Sequence, residues 1–192
     1  IGGDRDGNPF VKPETTATAL RLQSQVIIEE YLLQLNELTR QLTHASDMCV
    51  PTKEFLDSLF TDENLRFHVF ADSPSAYANA PYRRKLSFMH YRMQQNLVIV
   101  RAQLNDKIPE GVQHAYTSEK EFLHDLILIR NSLISHGDQN IADGTLKNLI
   151  RLTETFGFYL LKLDVRQEST RHTDAVAEII KQIKKAPDYK TL

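Results

Sequence analysis

The 192-residue sequence has no tryptophan, a single cysteine (Cys49), and only 7 glycines and 7 prolines. A lone thiol forms neither an intramolecular disulfide nor a cysteine-based zinc site, so the fold needs no oxidising compartment and a cytoplasmic location is expected. So little glycine and proline excludes collagen-like and low-complexity chains. Long apolar runs are missing too: stretches such as 97–100 fall far short of the ~18 residues that read as a membrane span, and no membrane partner is expected. Nor does one charge dominate. The 23 Lys and Arg against 25 Asp and Glu leave a net charge of −2, without the basic field that drives binding to nucleic acid. The opening Ile1-Gly2-Gly3-Asp4 carries no initiator Met, basic n-region or apolar h-region, so the chain is expected to be cut from something larger.

What is present is the composition of a globular domain, 41% hydrophobic and 25% charged, arranged at helical spacing. Pro13 suits a first helical turn, and Leu20, Ile27, Tyr31, Leu35, Leu38 and Leu42 recur at threes, fours and sevens. They predict a helix of about 30 residues, ~45 Å long, more than a domain this size needs for its own core, so it is expected to lean on something outside the chain. Thr52 can cap a second helix, the breakers around Pro74 mark a loop, and Pro81 opens a third helix. That helix carries Leu86, Met89, Met93, Leu97 and Val100 on one face, with Arg83, Arg84, Lys85, Arg92 and Arg101 expected on the remaining surface. Ser118 and Glu121 fit a capping box ahead of a fourth helix running to Gly137, and Asp143 can start a fifth ending near Gly157. The aliphatic and aromatic segment 158–165 reads as a single strand, which is either an irregular extended segment here or part of a sheet whose other strands lie outside the chain.

Two segments carry the strongest chemical signals. Gly2-Gly3-Asp4-Arg5-Asp6-Gly7-Asn8-Pro9 combines backbone freedom for close approach to a ligand with an arginine flanked by carboxylates, although a frayed polar terminus has the same composition. It is no calcium loop, since Pro9 stands where glycine is needed and Thr15 where glutamate is. Asp164-Val165-Arg166-Gln167-Glu168-Ser169-Thr170-Arg171-His172 runs from a strand end into a helix start, where a guanidinium could fork onto a phosphate or carboxylate, or join a capping and salt-bridge cluster. Arg83 and Arg84, near a helix N-terminus, are candidate anion or allosteric residues, though such clusters are usually solvated faces. His44, His68, His90, His114, His124 and His136 lack metal spacing and read as surface or satisfied helix residues, and Cys49 as a buried or inert thiol.

Taken together, Gly2 to Pro9 and Leu163-Asp164-Val165-Arg166-Gln167-Glu168-Ser169-Thr170-Arg171-His172-Thr173 closely resemble two hallmark segments of the phosphoenolpyruvate carboxylases. Pro81-Tyr82-Arg83 is similar to that family's pattern as well. The resemblance spans nearly the whole chain and implies an internal segment of a much larger enzyme built around a (β/α)8 barrel. For this segment it implies an all-α fold, a single helical domain over 1–192 with at most one or two short strands. The implied enzyme is a lyase, a cytoplasmic homotetramer that joins phosphoenolpyruvate to bicarbonate, releasing phosphate and oxaloacetate to replenish the tricarboxylic acid cycle. It uses Mg2+ or Mn2+ with ligands outside this chain.

By the same resemblance, Arg166 would contact the substrate phosphate, and Gly2, Gly3, Asp4, Arg5, Asp6 and Asn8 would form the loop bordering that site. The family's catalytic histidine sits in an upstream Thr-Ala-His-Pro-Thr segment. His44 is no match for it, as Ala45 and Ser46 follow. The family's downstream glycine-rich His/Arg loop is absent, and His136-Gly137-Asp138 does not stand in for it. The chain alone is therefore expected to lack carboxylase activity. The alternative is a stand-alone helical interaction module docking a partner through the long first helix.

Overall fold

The computed structural model describes residues 10–163 and 169–181, which fall in two compact units. Arg21–Leu161 forms one, and the described residues of 1–20 and 162–192 belong to the other. The regular structure among the described residues is helical, with no strand among them.

α1 (Pro13–Gln41) opens with Pro13, a residue whose missing N–H costs nothing in a first turn. α2 (Lys53–Asp62) is capped by Thr52, whose side chain accepts the Phe55 N–H at 3.4 Å. A 3-10 turn (Glu63–Leu65) leads into the short α3 (Arg66–Phe70), and a loop over 71–80 precedes α4 (Pro81–Leu104) with its proline at the start. α5 (Glu119–Ser135), α6 (Gln139–Ala142) and α7 (Thr145–Phe156) complete the larger unit. α8 (Ser169–Lys181) lies in the other unit, with Ala177 as its buried residue.

The core of Arg21–Leu161 follows the helical spacing of the sequence. Ile27, Ile28, Tyr31, Leu35, Leu38 and Leu42 from α1 and its end meet Phe55, Leu86, Met89, Met93, Phe122, Leu126, Ile129 and Leu149 from the other helices. Each such fully buried side chain contributes about 1.5–3 kcal/mol relative to exposure. The exception along that row is Leu20, 38% exposed. Tyr31 stacks near Phe122 and Phe158, and its hydroxyl donates to the Gly157 carbonyl at 2.6 Å, fastening the end of α7 onto α1.

Three local expectations give way to the structure. In the described part of the segment expected as a strand, 158–161 is turn and bend and 162–163 has no regular structure. Gly157 at φ 52 and Leu160 at φ 60 break extended backbone twice, and Phe158 and Leu160 turn onto the core instead of joining a ladder. The capping box at α5 is not formed: Ser118 makes no side-chain cap bond, and Glu121 accepts from the Thr117 backbone N–H and hydroxyl, both at 3.0 Å. The fifth predicted helix starts at Thr145, because Asp143 closes α6 instead and pairs with Arg130 at 2.8 Å.

Candidate functional site

The residues tied by resemblance to a phosphoenolpyruvate site, Gly2, Gly3, Asp4, Arg5, Asp6, Asn8 and Arg166, lie outside the described residues. Arg83 and Arg84 are described, and helical geometry sends the two in different directions. Arg84 is 6% exposed and forks onto Glu63, with Nη2 2.7 Å from Oε2. Its other donors reach the carbonyls of Pro74, at 2.9 Å, and Ala76, and its guanidinium lies over the Phe70 and Phe88 rings. This guanidinium is spent on holding the 71–80 loop to α4. Arg83 donates from Nε to the Thr39 carbonyl at 2.8 Å and lies 5.4 Å from the Tyr77 ring centroid. Thr39 and Tyr77 also line a cavity of about 330 Å³, together with Asn36, Ser87, His90 and Gln94, so Arg83 stands at its edge.

The expectation that Lys85 and Arg84 belong to a solvated face is overturned. Lys85, Met89, Arg92 and Asn96 follow one another at spacings of four and three, so they share a face of α4 turned to α2 and α5. The Lys85 ammonium spends its three N–H donors on Asp62 at 2.6 Å, Asp125 at 2.7 Å and Ser58 at 2.8 Å. Asp125 also accepts the Tyr116 hydroxyl at 2.9 Å, and Arg92 lies 3.9 Å over the Tyr116 ring while pairing with Glu121. Asn96 exchanges hydrogen bonds with the Tyr116 backbone, 2.9 Å each way. Burial pushes the Asp62 carboxyl up from its ordinary value and the Tyr116 phenol well above its own. With Lys85, Asp62, Asp125 and Tyr116 withdrawn from water, the cluster joins three helices. Asp125 could have been suspected from the sequence, since Phe122, Leu126 and Ile129 put it on the apolar side of α5.

A second cluster forms where the ends of α1, α2, α4 and α5 meet. His44 Nε2 and His136 Nδ1 lie 3.1 and 3.0 Å from the same oxygen of Asp138. The second nitrogen of His136 is 2.8 Å from the Tyr82 hydroxyl, which is 2.7 Å from the Ser132 hydroxyl. Ser132 in turn accepts the Thr52 backbone N–H at 3.0 Å. Burial pushes the Tyr82 phenol up to about 12. Cys49 is buried nearby, and burial followed by the Asp138 charge pushes its thiol up, the setting of an inert thiol. Among the described residues no group of three or more His, Cys, Asp or Glu is placed to hold a metal ion, and no helix is long and apolar enough to cross a membrane.

Comparison with known proteins brings in the residues at both ends. The family model described as phosphoenolpyruvate carboxylase matches residues 1–192. The chain is 34% identical to a phosphoenolpyruvate carboxylase of Prochlorococcus marinus (strain MIT 9312), over 98% of this chain and 20% of that protein. It is 35% identical to the one from Synechocystis sp., over 93% of this chain and 18% of that protein. For the one from Thermosynechococcus vestitus the identity is 34%, with the same shares of 93% and 18%. The chain thus spans about a fifth of the length of the curated relatives it matches.

Proposed function

Since the chain belongs to the phosphoenolpyruvate carboxylase family, we propose that it is one part of an enzyme that carboxylates phosphoenolpyruvate with bicarbonate, giving oxaloacetate and phosphate. The observation that carries this reading is the family match across residues 1–192, which takes in both the glycine-rich Gly2 to Pro9 segment and the segment around Arg166.

In this reaction bicarbonate attacks the phosphate of phosphoenolpyruvate, giving carboxyphosphate and an enolate, and carbon dioxide from the former is captured by the latter. Negative charge grows on the transferring phosphoryl group, where fixed guanidinium donors are most effective. Arg166 is assigned that task, forking onto the phosphate as a planar guanidinium can. Gly2, Gly3, Asp4, Arg5, Asp6 and Asn8 border the same phosphate, the carboxylates bracing Arg5. Arg83, at the edge of the cavity between α1 and α4, is the better candidate of its pair for an allosteric anion, because the Arg84 guanidinium is already held by Glu63, Pro74 and Ala76.

The described residues do not fit the Mg2+ or Mn2+ of this chemistry, and, as the family resemblance implies, its ligands are assigned to the rest of the enzyme. The histidine that moves the proton is assigned there too. The chain alone is accordingly inactive, and the working enzyme is a cytoplasmic homotetramer. The test is Arg166→Gln in the full-length polypeptide, with folding checked by circular dichroism. A loss of kcat/KM for phosphoenolpyruvate of a hundredfold or more with the fold intact is expected, and unchanged kinetics would return Arg166 to the capping and salt-bridge cluster.

A further inference from the structure

Within Arg21–Leu161, the outer face of α1 carries a row of large apolar side chains that no described residue covers. Leu22, Val26 and Leu33 are 50%, 56% and 64% exposed. Their spacing of four and seven places them within ~40° of one another around the helix axis. The charged and amide neighbours along this row are already engaged: Glu29 takes Arg101 and Gln25, and Gln34 takes Glu30, each at 2.8 Å.

α4 widens the row. Arg21 reaches the Gln103 carbonyl at 2.7 Å, Arg101 reaches Glu29 at 2.8 Å, and Arg83 reaches the Thr39 carbonyl at 2.8 Å, so α4 runs antiparallel to α1. In that register Val98, 45% exposed, lies level with the stretch of α1 between Val26 and Leu33. Single exposed aliphatics are ordinary on a soluble protein, whereas a row of them along two adjacent helices marks a covered face. The groove between two such helices suits the ridge of a third.

What covers it follows from the length of the relatives, four-fifths of which lies outside the part this chain matches. We propose that the Leu22, Val26, Leu33 and Val98 face docks an amphipathic helix from the remainder of the carboxylase polypeptide, which makes α1 an interior helix of the whole enzyme. The inference rests on the carboxylase reading above, and its test separates the two.

Leu33→Cys is introduced both into the 192-residue chain and into the full-length polypeptide, and maleimide labelling at that position is followed by peptide mass spectrometry. Labelling at least fiftyfold slower in the full-length polypeptide is the expected result. Equal rates in the two would overturn the proposal. So would labelling of the 192-residue chain that slows as its concentration rises, since a second copy would then occupy the face. Val26→Cys repeats the measurement should Leu33→Cys fail to fold. Oxaloacetate formation is assayed alongside. Protection without carboxylation supports the docked helix and overturns the carboxylase reading, while carboxylation without protection overturns the docked helix alone.

Discussion

The ammonium of Lys85 lies 2.6 Å from Asp62 and 2.7 Å from Asp125, with its side chain 1% exposed, so one buried cation bridges two carboxylates on different helices, the second of which also has Arg92 at 3.6 Å. Such a pair adds little net stability against a hydrophobic alternative, but removing one partner strands the other in a medium that cannot solvate it. Lys85→Met is therefore expected to destabilise the chain by about 3–5 kcal/mol, measured by urea unfolding. Adding Asp62→Asn and Asp125→Asn to Lys85→Met should recover part of that loss. A Lys85→Met variant as stable as the parent would show that the cluster does not hold α2, α4 and α5 together.

Tyr31 offers a smaller and cleaner deletion. Its hydroxyl is the donor to the Gly157 carbonyl at 2.6 Å, and Tyr31→Phe leaves that buried acceptor without it while preserving the ring against Phe122 and Phe158. The expected cost is about 1–3 kcal/mol, read as a lower thermal midpoint. An unchanged midpoint would mean that the end of α7 is held by packing alone.

His90 sets a pH dependence with a definite sign. Burial lowers its imidazole below the ordinary value of 6.5, so between the folded and unfolded values the unfolded chain binds more protons. Stability then rises with pH across that window, is complete above about 6.5, and is lost as the pH falls through the folded value. His90→Gln should flatten this part of the stability curve, measured by urea unfolding from neutral pH downwards. A variant that keeps the parent's slope would assign the effect to another group.

The helices were legible where the sequence punctuates them. Pro13, Thr52 and Pro81 stand at or beside the starts of α1, α2 and α4, and the row from Ile27 to Leu42 is the buried face of α1. Local signals failed where a tertiary contact outweighed them. The segment 158–163 has strand-forming residues but no neighbouring edge in the described chain, and Gly157 turns it onto the core. Glu121 abandons Ser118 because Thr117 and Arg92 offer it better partners. Lys85 looked like surface because lysine usually is, and only the buried carboxylates of α2 and α5 reverse that preference.

The polar clusters illustrate the same limit at longer range. His44 and Asp138 are 94 residues apart and meet at 3.1 Å, and no spacing rule connects them. By contrast, the segments around Gly2 and Arg166 carried the resemblance to the family, and the family match over residues 1–192 bears that resemblance out. Those segments lie outside the described residues, and the roles proposed for them are what Arg166→Gln tests.

The most direct test is therefore functional: oxaloacetate formation from phosphoenolpyruvate and bicarbonate, with Mg2+ supplied, by the full-length polypeptide and by the 192-residue chain side by side. The proposal that the chain is one part of a carboxylase predicts turnover by the full-length polypeptide and none above background by the chain alone. Turnover by the isolated chain, or a folded full-length polypeptide that forms no oxaloacetate, would contradict it.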